Sequence, residues 1–156
     1  MLHNPPVRRI GCVVVLTDME GRVLLLDPVY KDGLILPGGS AEANEPPHKA
    51  AIRHLHAETG LTRHITHTLT VDWVPADRYP EGLNIIFDGG LIAERDKPYI
   101  TVPPVEVSGL RGHRWAAMNE LHSLMQPDQA RRVEAALNSK LSQRSSPVLV
   151  GGRPVR

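Results

Sequence analysis

The stretch that most constrains this chain is Leu36 to Leu61, LPGGSAEANEPPHKAAIRHLHAETGL. An apolar run, Leu34-Ile35-Leu36, is stopped by Pro37-Gly38-Gly39. Pro46 and Pro47 then suit the first turn of a helix, where amide hydrogens lack partners anyway, and Asn44 or Glu45 is placed to cap it. Gly60 ends that helix as a left-handed cap. Ala51, Ile52 and Leu55 give it an apolar stripe. A strand, a glycine loop and a helix with fixed ends therefore follow in succession. Glycines let a backbone approach a ligand closely and leave carbonyls free to face a metal.

The flanks read as further strands and one more helix. Ile10 to Leu16 is short, apolar and β-branched, so it reads as a buried strand. Asp18-Met19-Glu20-Gly21 turns it back into Val23 to Leu26, a hairpin. Thr66 to Val74 reads as a strand and Asp77 to Gly82 as a loop. Leu83 to Phe87 and Gly90 to Ala93 read as two strands with Asp88-Gly89 between them. Val102 to Val107 leads to a last strand at Arg114-Trp115-Ala116. Asp128 to Leu141 reads as a second helix, with Val133, Leu137 and Leu141 spaced four apart. Residues 1–8, with Pro5 and Pro6, are expected to be a flexible leader, 9–141 the domain, and 142–156 a flexible tail. Strands around one strong and one terminal helix give an α+β class, or a mixed sheet between helices.

Composition excludes several classes of function. At 156 residues the chain is one domain's worth and long enough to bury a core. Its single cysteine, Cys12, rules out a disulfide framework and a cysteine zinc cluster, and in an apolar strand it reads as inert core. The 18 Lys+Arg nearly cancel the 17 Asp+Glu, so neither a nucleic-acid polymer nor a membrane surface is an expected partner. No apolar run nears the ~20 residues of a membrane helix, and a reducing cytoplasm is the expected location.

On the helix, His54 and Glu58 are four apart and share a face, with Ala57 completing the patch. Arg53 lies about two turns from Glu45, close enough for an ion pair that pins loop to helix. Glu42 in the loop offers another carboxylate. Arg53, Arg78 and Phe87 are the candidate substrate contacts: two guanidiniums to reach phosphate and a strand aromatic to stack on a base. Core packing and a solvated loop charge are the alternatives. The same choices apply to Trp73, Tyr79 and Arg111 to Arg114.

This stretch resembles the box of the Nudix family: Gly, five residues, Glu, seven residues, then Arg-Glu-apolar-any-Glu-Glu-any-Gly-apolar. The match falls without a gap on Gly39, Glu45, Arg53, Leu55, Glu58, Gly60 and Leu61. His54 and Ala57 stand where two of the glutamates belong. The resemblance covers about residues 8–141 and implies an α/β/α sandwich around a mixed β-sheet. It also implies hydrolysis of a nucleoside diphosphate linked to another moiety, with Mg²⁺ or Mn²⁺ as cofactor, and it leaves room for a homodimer. By this resemblance Gly38, Gly39, Glu42, Glu58 and Glu106 are candidate metal ligands. Glu58, Glu106 and His54 are candidate catalytic groups, and Glu45, Arg53 and Gly60 are structural. A hard ion wants oxygen ligands, so a methyl in place of a carboxylate removes a ligand and a charge together. Imidazole titrates near neutral pH and suits Mn²⁺ better than Mg²⁺, so His54 is read as ligand or base. The expectation is a slow hydrolase, better with Mn²⁺. The other reading is an inactive domain of the same fold that binds a nucleotide or a protein.

Overall fold

The computed structural model describes residues 3–155; Met1 and Leu2 of the leader and Arg156 of the tail lie outside the described residues. The architecture is built on β1 (Arg9–Thr17), whose Cys12 and Val14 to Leu16 are fully buried. Both its faces are covered, which is why it reads as a continuous apolar run and not as an alternating one. The Asp18–Gly21 turn returns the chain as β2 (Val23–Pro28), antiparallel to β1 with Thr17 opposite Val23. The hairpin then splays, and the following segment fills the wedge. Ile35 exchanges both backbone hydrogen bonds with Leu26, and the Val14 N–H donates to the Pro37 carbonyl. Beyond that, β3 (Gly38–Ser40) pairs antiparallel with Gly11 to Val13.

Next come α1 (Pro47–Thr59), β4 (Thr68–Val74), β5 (Gly82–Leu91) and a 3₁₀ turn at Glu94–Tyr99. Then follow α2 (Val105–Ser108), β6 (Leu110–Ala116), α3 (Leu121–Leu124), α4 (Pro127–Ser142), β7 (Leu149–Val150) and β8 (Arg153–Pro154). The sheet order is β6-β2-β1-β5-β4-β7-β8, with β3 beside β1. β1 runs parallel to β5 and β4 parallel to β7, and the other pairs are antiparallel, so the sheet is mixed. Residues alternate between its faces. Val14, Leu16 and Leu24 pack under Ala50, Ala51 and Leu55 of α1. Val15, Val23 and Leu25 pack under Ala130, Val133 and Leu137 of α4. The result is the α/β/α sandwich.

Four local readings change. Neither Asn44 nor Glu45 caps α1: Pro46 occupies the cap position with no side-chain bond, Asn44 takes a positive φ of 61°, and the Glu45 carboxylate is held by Arg53. The two strands expected around Asp88-Gly89 are one strand with a bulge, in which Val15 faces Asp88 and Leu16 faces Gly90. A side chain at Gly89 would stand 2.6 Å from Val14 Cγ1, so the glycine permits close strand packing instead of a turn. The 3₁₀ turns at Glu94–Tyr99 and Met118–Glu120 and the two short helices α2 and α3 carry no periodicity the sequence reading could detect. The tail is not simply loose. β7 joins the sheet beside β4, Leu149 is fully buried, and the Gly152 N–H donates to Asp72.

Two buried carboxylates fasten this frame. Asp72 on β4 receives Arg132 Nε of α4 at 2.7 Å as well as the Gly152 amide, joining sheet, helix and tail. Asp18 in the first turn accepts from Lys97 Nζ, from Arg22 backbone and side chain, and from the Glu20 amide. Burial pushes its carboxyl upward, but those donors win and hold it at about 2.

Candidate functional site

Three short elements converge where β1, β3 and α1 meet. Gly38 has a φ of 142°, and a Cβ there would lie 2.3 Å from the Cys12 carbonyl oxygen. Only glycine lets β3 lie this close to β1. α1 then runs over β3, and the two repeat distances nearly agree. Four helical residues rise about 6 Å, while two strand residues span about 6.6 Å. Side chains one helical turn apart therefore reach β3 residues two apart. Glu58 Oε1 accepts the Gly38 N–H at 2.8 Å, and His54 Nε2 meets the Ser40 carbonyl at 2.9 Å. The Ser40 oxygen can only accept, so in a hydrogen bond here Nε2 is the donor; Arg53 Nη2 also lies 3.5 Å from the same nitrogen. The His54 ring lies over Gly39, where a Cβ would come within 2.4 Å of it.

Glu58 is half-buried, and burial, opposed only by the Gly38 amide, raises its carboxyl to about 7. Among the described residues no cation pairs with this carboxyl, and acids perturbed by burial in this way are enriched at functional sites. Ala57 is exposed beside it and contributes only a methyl.

Glu45 and Arg53 form a bidentate pair, with Nε to Oε2 and Nη2 to Oε1 both at 2.8 Å. Arg53 bonding, together with the Glu42 amide donating to Glu45 Oε1, holds the Glu45 carboxyl at about 2. The pair fixes the loop between β3 and α1. Gly60 closes α1 with a φ of 76°, its N–H donating to the His56 carbonyl.

The remaining expected residues are not all gathered here. Glu42 is exposed and turned toward Arg53, at 3.9 Å. Glu106 is exposed on α2. Arg78 is exposed in the loop between β4 and β5. Phe87 is a correction: it is 5% exposed and packs in the core beneath α1, so it cannot stack on a substrate. A ring in the middle of a central strand covered on both faces is core by position. Trp73 is partly covered by Arg8, whose guanidinium lies 5.6 Å from its ring.

Among the described residues no group of three or more His, Cys, Asp or Glu side chains is placed to share a metal ion. The described residues offer no all-protein cage. What it does offer, one acid beside a bare glycine backbone, suits a Mg²⁺-type ion held by one or two carboxylates plus substrate phosphates. A groove of about 670 Å³ lies elsewhere, between β4 and the segment joining α4 to β7, and does not include the glycine junction.

Sequence reading missed Ser40, whose carbonyl orients His54, and Tyr30, whose ring rests against Gly109. Backbone acceptors leave no signal in residue type. Tyr30 was detectable as an aromatic in the short loop ahead of Asp32-Gly33.

A family model described as NUDIX domain matches residues 7–137. Among solved structures the chain is similar to the MutT protein of Methanosarcina mazei Go1, at 16% identity and a TM-score of 0.68, covering 92% of this chain and 98% of that one. It is similar to the NUDIX domain of Shewanella oneidensis NrtR complexed with ADP ribose, at 14% identity and a TM-score of 0.67, covering 89% and 94%. It is also similar to a UDP-X diphosphatase, at 13% identity and a TM-score of 0.72, covering 95% and 69%. These likenesses establish the fold. No curated protein matches the chain.

Proposed function

Because the chain belongs to the Nudix family, whose members generally use divalent metals, we propose that it is a slow phosphoanhydride hydrolase acting on a nucleoside diphosphate linked to another moiety. The observation that carries this reading is the Glu58 carboxylate, aimed at the Gly38 amide with no cation beside it. Mg²⁺ or Mn²⁺ bound with the substrate supplies neutralisation of the diphosphate charge. Glu58 would hold that ion from the protein side, and Glu106 would complete the set when substrate is bound. The Gly38-Gly39 backbone gives the phosphates room to approach. The His54 ring, held at the Ser40 carbonyl, is assigned to take the proton of the attacking water, a role the carboxylate introduced by His54→Glu would take over. Water adds to phosphorus, one P–O–P bond breaks, and two phosphate compounds leave. Glu45 and Arg53 keep the loop in place throughout.

The test is a panel of nucleoside diphosphate derivatives with each metal, read as released monophosphate. Turnover is expected with Mn²⁺ above Mg²⁺, lost in Glu58→Gln and raised at least tenfold by His54→Glu with Ala57→Glu. No turnover with either metal, and no gain on restoring both acids, overturns the hydrolase reading.

A second reading, a domain that binds a nucleotide without cleaving it, draws on the lack of a three-ligand group among the described residues. It is favoured if nucleotide binds while the restored variant alone hydrolyses it.

A further inference from the structure

All three tyrosines of this chain are exposed, and Tyr30 lies in the loop that leads to the glycine junction. It follows β2 by two residues. The preceding Val29 N–H donates to the Gly109 carbonyl at 2.9 Å, which ties this loop to the turn that ends α2. Gly109 caps α2 with a φ of 70°. A Cβ built there would stand 3.3 Å from Tyr30 Cδ1 and 3.4 Å from Cε1. The absence of that methyl lets one edge of the ring rest on the backbone. The ring nevertheless remains 66% exposed, so it is not a core residue. From Tyr30 the chain turns through Asp32-Gly33, bridges back to β2 at Ile35 and arrives at Gly38. Tyr30 therefore opens the loop that ends at the glycine junction, beside the helix that carries Glu106.

Two further observations point the same way. Partial burial, and then the charge of Glu58, raise the Tyr30 phenol above its ordinary value, which agrees with this placement. Val29, Val105 and Val107, in the same two segments, are exposed apolar side chains. A supported aromatic ring with an apolar surround and an acid-bearing backbone loop nearby suits a ligand with a flat end and an anionic end.

We propose that Tyr30 is the platform on which the base of a nucleoside diphosphate stacks while its phosphates reach Gly38 and Gly39. This rests on the preceding reading of the junction as the diphosphate site. It assigns base recognition to a residue outside the glycine–helix segment, and replaces Phe87 in that role.

The probes are ADP and methylenediphosphonate, a diphosphate mimic without a base, titrated calorimetrically in Mn²⁺ against the full chain. Tyr30→Ala is expected to weaken ADP about tenfold or more, with methylenediphosphonate changed less than about twofold. Tyr30→Phe and Tyr30→Trp, which keep a ring, are expected to retain ADP affinity within about threefold. Unchanged ADP affinity in Tyr30→Ala overturns the stacking role while leaving the junction reading intact. Equal losses for both ligands also overturn it, because the residue would then act on the phosphate end or on the fold. Failure of the unmodified protein to bind either ligand overturns both.

Discussion

Glu58 is a residue held against its own chemistry. Its carboxyl titrates near 7 in the folded chain and near the ordinary carboxylate value when unfolded. Between those values the native state binds more protons, so stability falls as pH rises through that window. The full cost, up to about 3 kcal/mol, is present only above about pH 7. Glu58→Gln keeps an oxygen for the Gly38 amide and removes the charge. Urea unfolding should show the variant more stable than the parent by about 1–3 kcal/mol at pH 8 and equal to it at pH 4.5. Equal stability at pH 8 would mean the carboxyl is not raised. Asp18 behaves oppositely. Its folded value, about 2, lies below the ordinary one, so its contribution of about 2 kcal/mol is complete above pH 4 and lost as pH falls through about 2. Asp18→Asn should lower stability at pH 7 by about that amount and flatten the acid limb of the unfolding curve. An unchanged acid limb would remove the assignment. Neither shift is legible in the sequence: both acids sit in ordinary turn and helix positions, and only burial and donors from distant segments separate them.

At the scale of elements, the glycine pair divides its labour. A side chain at Gly38 meets backbone, namely the Cys12 oxygen and Val13 Cα at 2.6 Å. Backbone in the sheet centre cannot yield, and φ there is positive, so Gly38→Ala should destabilise by more than about 2 kcal/mol. A side chain at Gly39 meets the His54 ring first, and that ring can swing away. Gly39→Ala should therefore unfold within about 1 kcal/mol of the parent while releasing His54 from Ser40. The readout is the His54 ring chemical shifts at one fixed pH, and unmoved resonances would refute the steric coupling. This junction was the most legible part of the chain. Proline, glycine and helical spacing act over a few residues, so they locate α1 to within a residue or two and bring Glu58, His54 and the Glu45–Arg53 pair into play. Its capping was misread because Glu45 found a stronger partner in Arg53 than in the helix amides.

At the scale of the whole molecule, the tail is part of the sheet. Leu149 is buried, Gly152 donates to Asp72, and a Cβ at Gly152 would stand 2.5 Å from the Asp128 carbonyl. Removing residues 145–156 should lower unfolding stability by more than about 2 kcal/mol, from the lost Leu149 burial and the donor taken from a buried carboxylate. A change under about half a kcal/mol in the urea midpoint analysis would show that the hairpin does not dock. Asp72→Ala should cost more, about 3–5 kcal/mol, because it leaves the buried Arg132 guanidinium unpaired. The tail's polar, turn-rich composition gives no hint of this docking, since its partner lies about 80 residues away in the chain.

What the sequence determined by itself is whatever depends on near neighbours along the chain: the strand that stops at Pro37, the bare glycine pair, the helix bounded by Pro46 and Gly60, and the family box laid over them. The tertiary structure alone decided which of the marked side chains share a place. It buried Phe87, left Glu106 and Arg78 exposed on separate segments, turned Glu42 toward Arg53, and set Tyr30 on Gly109. The reason is one of range. Backbone preferences and helical periodicity are written over a few residues, whereas burial, long-range pairing and the electrostatic state of an acid depend on segments that only folding brings together.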